Sequence, residues 1–288
     1  MLRGRRARAA LLVVGLCLLQ ACSSVKLAYN QAPHLVMWQL QRHLNLSQTQ
    51  TERVRDEVQA LHAWHRAALL PQHTKLLQGL APQLQGPVTA EQACSAYREA
   101  RAQVEQIAER AIPALQRLAV GLDEAQIEHL ERRFARGNAE WRKEWLEPSP
   151  QALLEHRYDK LLSRAQTWYG RLGSPAKAAL RDALARSSFD PERAYAERLR
   201  RQRDLVDTLR AIHARPSDAQ GARTLLQAYW GRVAESPDAA YRSHAQQLVR
   251  EGCELFARFH AAAEPAQRQA AVQTAQRQAA DLLALAGP

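Results

Sequence analysis

Residues 90–119 read AEQACSAYREARAQVEQIAERAIPALQRLA, with apolar positions at Ala93, Tyr97, Ala100, Val104, Ile107, Ala111, Leu115 and Leu118. Steps of three and four residues gather side chains on one face of an α-helix. The same period runs through Val54, Val58, Leu61, His65, Ala68 and Leu69, and again through Tyr195, Leu199, Gln202, Val206, Leu209 and His213. Each stripe is expected to be a buried face. Ala, Leu, Gln, Arg and Glu dominate, and no stretch alternates with period two over a strand's length. The chain therefore reads as all-α, a multi-helix bundle of about nine or ten helices.

Helix boundaries follow from capping chemistry, because Pro is favoured in the first turn while Ser, Thr and Asp supply a cap oxygen. Ser149-Pro150, Ser174-Pro175 and Asp190-Pro191 mark three starts, and Pro216, Pro237 and Pro265 mark further boundaries. Pro71 and Pro113 fall inside periodic segments, where kinks or short breaks are expected. These signals predict helices over 33–44, 48–84, 90–119, 124–146, 150–169, 175–186, 191–214, 218–234, 238–262 and 266–285. No Gly/Ser-rich linker separates them, so 33–288 reads as a single helical domain.

The N-terminus carries Arg3, Arg5, Arg6 and Arg8, then an apolar run from Ala9 to Leu19. This is the layout of a secretory signal, and the run is too short to span a membrane, which takes about 20 residues. Leu19-Gln20-Ala21-Cys22 resembles the bacterial lipobox. That resemblance implies a lipoprotein signal peptide over 1–21, lipid on Cys22 and a lipidated tether over 22–32. By the same likeness, Ser23 favours the outer membrane, with the body facing the periplasm. Cleavage removes four of the 40 basic residues and none of the 29 acidic ones, so the net charge falls from +11 to +7. An exported chain does not meet the chromosome, and nucleic acid is excluded as a partner despite the basic balance.

Export also bears on the cysteines. Cys17 leaves with the leader and Cys22 carries lipid, so Cys94 and Cys253 remain in an oxidising compartment and are expected to form a disulfide. The alternative is two buried free thiols.

A local pattern recurs at Leu46-Ser47-Gln48-Thr49-Gln50, Val88-Thr89-Ala90-Glu91-Gln92 and Leu122-Asp123-Glu124-Ala125-Gln126, with a weaker copy at Ala263-Glu264-Pro265-Ala266-Gln267. It resembles the LTxxQ motif of the Spy/CpxP periplasmic chaperones. A plainer account is a capping box, in which the cap oxygen takes an amide at N3 and the N3 Gln reaches back. The irregular spacing of the copies excludes a solenoid repeat.

Over nearly its whole mature length the chain resembles an uncharacterised family of Gram-negative lipoproteins. The resemblance is carried by Leu27-Ala28-Tyr29-Asn30-Gln31-Ala32, Trp64-His65-Arg66 with Leu70-Pro71, and His129 to Ala135 leading into Asn138-Ala139-Glu140-Trp141-Arg142. Phe189-Asp190-Pro191-Glu192, the stretch from Glu197 to Leu205, and the Cys253 segment ending in Pro265-Ala266-Gln267-Arg268 continue it. The chain departs from the family at Phe259-His260-Ala261, where His-Asn is expected. The resemblance implies the anchor, the disulfide and a helical fold, and no activity.

Candidate sites are few. Arg132, Arg133, Arg136, Asn138, Glu140 and Arg142 lie on one helix and form a candidate binding face for an anionic ligand, or else a solvated, ion-paired surface. Gly137-Asn138 in mid-helix costs about 1 kcal/mol in propensity, so a packing or binding need is expected there. Phe134, Trp141 and Trp145 share a stripe and read as core. His62 and His65 have helical spacing for a metal, but His65 lies on the apolar stripe and a hydrogen-bonded core role is favoured, so no metal and no cofactor are assigned. Arg198, Arg200, Arg201 and Arg203 spread around a helix and read as a solvated face. The sequence holds no Gly-rich phosphate loop, no G-x-S-x-G elbow and no His-Glu-x-x-His. The reading favours a membrane-anchored binding or chaperone-like protein with an envelope-protein or cell-wall partner. The alternative is an enzyme acting on lipid or peptidoglycan. An apolar concavity rimmed by arginine would favour the first, a carboxylate-lined pocket the second.

Overall fold

The computed structural model describes residues 24–287. The signal peptide, the lipidation of Cys22 and the sorting role of Ser23 fall on residues outside that range. The elements are α1 Ser24–Leu44, α2 Gln48–Trp64, a π-helical turn His65–Leu69, α3 Leu70–Gln83, α4 Ala90–Val120 and α5 Glu124–Trp145. There follow α6 Pro150–Tyr169, α7 Ser174–Ala185, α8 Pro191–His213, α9 Ala219–Ala234, α10 Ala239–Ala262 and α11 Pro265–Ala286. With α2, the π turn and α3 forming one rod, ten helices and no strand make up the described residues. The all-α reading is correct.

The start of the first helix, the course of α4 through Pro113 and the cap of α7 differ from expectation. Residues 24–32, read as tether, belong to α1, and Pro33 lies inside the helix rather than at its start. A proline frees the carbonyl four residues back, here that of Tyr29, and His62 Nε2 lies 3.2 Å from it and supplies the missing donor. Pro113 likewise leaves α4 unbroken. Pro71 is accommodated by the preceding π turn, in which the Leu70 amide reaches back to His65 O and widens the helix ahead of the ring. At α7 the cap is Gly173, and Ser174 is already helical.

All four copies of the recurring pattern are capping boxes, at Ser47/Gln50, Thr89/Gln92, Asp123/Gln126 and Glu264/Gln267. Two of these glutamines also bond each other. Gln50 Nε2 donates to Gln126 Oε1 at 3.1 Å, and Gln126 Nε2 returns a bond to Gln50 Oε1 at 2.8 Å. Gln126 further donates to Asn45 O, and Gln50 to Gly121 O. The N-termini of α2 and α5 are thereby joined through the residues that cap them.

The apolar side chains gather in two cores. One is built around Tyr169, Leu180, Phe259 and Val272, from α6, α7, α10 and α11. The other is built around Val54, Ile127, Leu209 and Ile212, from α2, α5 and α8, with Leu44 of α1 and Ala119 of α4. The 31-residue helix α4 runs from the first core to the second, a length of roughly 46 Å at 1.5 Å per residue. Its N-terminal end is held to α10 by a disulfide between Cys94 and Cys253, with Cα atoms 5.4 Å apart.

Because the bond closes a loop across 159 positions, the chain-entropy argument gives roughly 5 kcal/mol as its ceiling. The Cys94→Ser/Cys253→Ser variant should unfold in urea with a stability lower by about 2–5 kcal/mol. Equal midpoints for variant and wild type would show that the bond does not restrain the unfolded chain.

Candidate functional site

The six residues of the expected binding face do not converge. Asn138 turns inward to α8, where its Nδ2 donates to Gln202 Oε1 at 2.7 Å and its Oδ1 accepts from Arg198 Nε at 2.7 Å. Arg132 pairs with Glu128 one turn away. Glu140 and Arg142 are exposed. Only Arg133 and Arg136 act together, and their company is Arg42 of α1. Burial lowers the pKa of the Arg133 guanidinium, with Arg42 and then Arg136 adding to the effect and Glu140 opposing it. The Arg133 Nε is buried without a hydrogen-bond partner. Gly137 is compatible with Arg198 but not required by it, since an added Cβ would lie 3.4 Å from Arg198 Nη2, an ordinary contact. Trp141 stacks on Tyr195 of α8, half-buried rather than in the core.

The arginine run on α8 is not a solvated face. Arg200 and Arg201 both bond the buried Glu197 carboxylate, and Arg200 also reaches Asp204, which Arg232 of α9 grips with both Nε and Nη2. Three of the four arginines are thus committed to α5, α9 or their own helix, because a charge half-removed from water needs a partner. Arg203 alone remains exposed.

The departure that matters most is α4. Its apolar stripe was expected to be buried, yet Tyr97, Ala100, Val104 and Leu115 are exposed, Val104 to 54 %. They line a trough of three joined concavities. At the N-terminal end, about 660 Å³ lies between Ala93 and Tyr97 of α4, Trp168 of α6, and Val249, Gly252 and Phe256 of α10. In the middle, about 730 Å³ separates Ala100 and Val104 from Trp230 and Tyr241. At the far end, about 470 Å³ is walled by Leu115, Leu205, Leu209 and Trp230, with Leu40 and Leu44 of α1. Tyr97 and Val249 belong to both the first and second, and Trp230 to both the second and third. The middle is rimmed by Arg101, Arg201 and Arg242, with Glu105 and Glu235. Arg101 bonds Glu105 and the Ala234 carbonyl, which fixes the rim. Sequence periodicity located this apolar face but carries no signal of whether a neighbour covers it.

Two histidine clusters were not anticipated as such. Tyr29 packs on His62 and hydrogen-bonds His65 Nδ1 through its hydroxyl, and Asn30 accepts from Arg66. Two motifs quoted above, around Tyr29 and around His65, therefore meet as a clamp of α1 on α2. Burial lowers the pKa of both His62 and His65, and no group of three potential metal ligands converges among the described residues. His260, at the position where the sequence departs from its family, is fully buried. Its Nε2 lies 2.9 Å from Gly86 O and its Nδ1 2.8 Å from the Tyr169 hydroxyl. A carbonyl only accepts, so Nε2 carries the proton and Tyr169 donates to Nδ1. Burial holds this ring neutral, and raises the Tyr169 phenol.

Among known families, the one described as "Family of unknown function (DUF6279)" matches residues 42–229. That range takes in the Trp64 to Pro71 and His129 to Arg142 motifs and leaves out Tyr29 and Cys253. No curated protein and no solved structure matches the chain.

Two outcomes follow from these contacts. Unfolded histidine takes up a proton near pH ~6.5 while folded His260, its pKa lowered, resists it. Its stabilisation is present above that pH and is lost as pH falls toward the lowered value. The urea midpoint should therefore drop between pH 7 and pH 5, and His260→Gln should flatten that slope; an unaltered slope would refute the assignment. Gly137→Ala should raise stability by about 0.5–1 kcal/mol through helix propensity, read by thermal unfolding, and a loss instead would mean that Arg198 cannot yield.

Proposed function

Since the chain belongs to this family of unknown function, whose description carries no activity, we propose from its geometry that it is a membrane-anchored binding protein of the cell envelope. Its trough takes an apolar-faced polypeptide segment in the manner of a chaperone. The exposed stripe of α4 is the observation that carries this reading. Its exposed residues run from Tyr97 to Leu115, 18 residue steps, roughly 27 Å of helix. Apolar ends and a middle rimmed by both signs of charge suit an amphipathic segment laid lengthwise in a groove. A trough open along its length suits a chain better than a single acyl tail, which is better served by an enclosed cavity. The likeness of the capping pattern to LTxxQ is in keeping with this class. The lipobox and leader support an anchor on Cys22, and Ser23 an outer-membrane address.

Catalysis by carboxylates draws less support. Lys160 lowers Glu144, Arg181 lowers Glu155 and Arg232 lowers Asp204. In Glu197 and Glu251 burial pushes upward but is outweighed by donors from Arg200, Arg201 and Ser236, and from Ser188. These acids are held ionised in ion pairs and hydrogen bonds, and none of them lines the trough.

Gly252 supplies the test, because a Cβ built on it meets nothing within 4 Å and points into space that a guest would use. Gly252→Trp should fill the N-terminal concavity while leaving the melting temperature equal or higher. The wild-type body should suppress aggregation of an unrelated unfolding protein at near-stoichiometric ratio, and the variant should require several-fold more. Absence of suppression by wild type, or equal suppression by the variant, would remove the trough from the function.

A further inference from the structure

Eight large apolar side chains are exposed among the described residues, and four of them, Leu27, Leu35, Val36 and Trp38, are on α1. Met37, Leu40 and Leu44 of α1 face the second core, and Tyr29 faces α2. Leu27, Leu35, Trp38 and Arg42 are separated by eight, three and four residues, which sets them on one stripe on the opposite side of the helix. Leu27 is 64 % exposed and Trp38 54 %. The Arg42 guanidinium lies over the Trp38 ring at 5.1 Å. Beside it, His129 Nε2 lies 3.1 Å from Arg42 O and joins α1 to α5, the helix that carries Arg133 and Arg136. None of these three arginines pairs with a carboxylate among the described residues, although most others on α8 and α9 do. The helix α11 ends nearby, since its Asp281 pairs with Lys26, and it carries the exposed Leu283 two residues on.

The lipid anchor proposed for Cys22 bears on what this face meets. Helix α1 begins at Ser24, two residues after Cys22, and two residues span at most about 7 Å. A lipid on Cys22 leaves α1 no slack with which to stand away from the bilayer. We propose that α1 lies along the membrane surface. Leu27, Leu35 and Trp38 enter the boundary between headgroups and acyl chains, and Arg42, Arg133 and Arg136 contact anionic headgroups. Tryptophan and arginine are the side chains suited to that depth, one end apolar and the other wet or charged. An apolar stripe backed by basic residues binds in the interface plane, and a polybasic patch strengthens an acyl anchor. This rests on the lipid anchor proposed above and adds to it the orientation of the body.

The test places the mature lipidated protein in vesicles of phosphatidylglycerol and phosphatidylcholine whose acyl chains are brominated, and reads quenching of tryptophan emission. Trp38→Phe is exposed and should leave the melting temperature unchanged. Wild type should lose at least twice the fraction of emission lost by Trp38→Phe, and the quenching should fall in vesicles of phosphatidylcholine alone. Mass spectrometry of the peptide bearing Cys22 separates two failures. An unmodified Cys22 overturns the anchor and this orientation together. A lipid-modified Cys22 with equal quenching in wild type and Trp38→Phe overturns the orientation alone, as when a second copy covers the stripe. Quenching indifferent to phosphatidylglycerol overturns the role of the arginines.

Discussion

Cys94 lies in the second turn of α4 and Cys253 near the middle of α10, and the bond between them fixes the end of the longest helix in the body. The consequence is energetic as well as geometric. A helix usually draws its stability from packing an apolar face, and burial contributes roughly 25 cal/mol for each Å² removed from water. In α4 much of that face is left open, and only Gln103, Ile112 and Ala119 are fully buried. The helix is held at its ends by the disulfide and the Thr89 capping box at one and by Ala119 in the second core at the other, and between them it rests on α9 and α10 along one side. A middle that is pinned at both ends can stay helical without being covered, and this allows the trough to exist.

The polar contacts at helix starts do the same service elsewhere. A cap glutamine satisfies its own helix and still has amide hydrogens to give. Gln50 and Gln126 use theirs on each other, and Gln267 donates to Arg171 O at 3.1 Å, joining the start of α11 to the loop after α6. Such paired amides are directional, so they fix register in a way that apolar contact does not. The irregular spacing of the pattern in sequence is then no obstacle, since each copy acts where two helix starts meet in space.

What the sequence made legible was the set of features governed by local physics. The helical period, the cap oxygens of Ser149 and Asp190, and the glutamine boxes all depend on residues a turn apart, and all are found in place. The misreadings arose where a distant residue decided the outcome. Pro33 looks like a helix start until His62 takes the Tyr29 carbonyl that the proline frees. Arg200 and Arg201 look solvated until Glu197 is seen buried beneath them. Asn138 looks like part of a surface until α8 supplies Gln202 and Arg198. The exposure of Val104 is a harder case of the same kind, because periodicity assigns the apolar side of a helix and only tertiary packing decides what covers it.

Helix α1 joins the two exposed regions of the molecule. It is fastened to α2 mainly by polar groups, through Tyr29 on His62 and His65 and through Asn30 on Arg66, and to α5 through the contact of His129 with Arg42 O. Its inward apolar residues are concentrated in the last two turns, where Leu40 and Leu44 wall the far end of the trough. Its outward apolar residues begin at Leu27, in the first turn. Neither set is needed to hold the other in place, so the apolar surface that α1 presents outward does not follow from the packing of the core. A side chain that gains nothing from the fold and costs solubility where it stands is explained by what it meets outside the fold, and for α1 that is the bilayer surface proposed above.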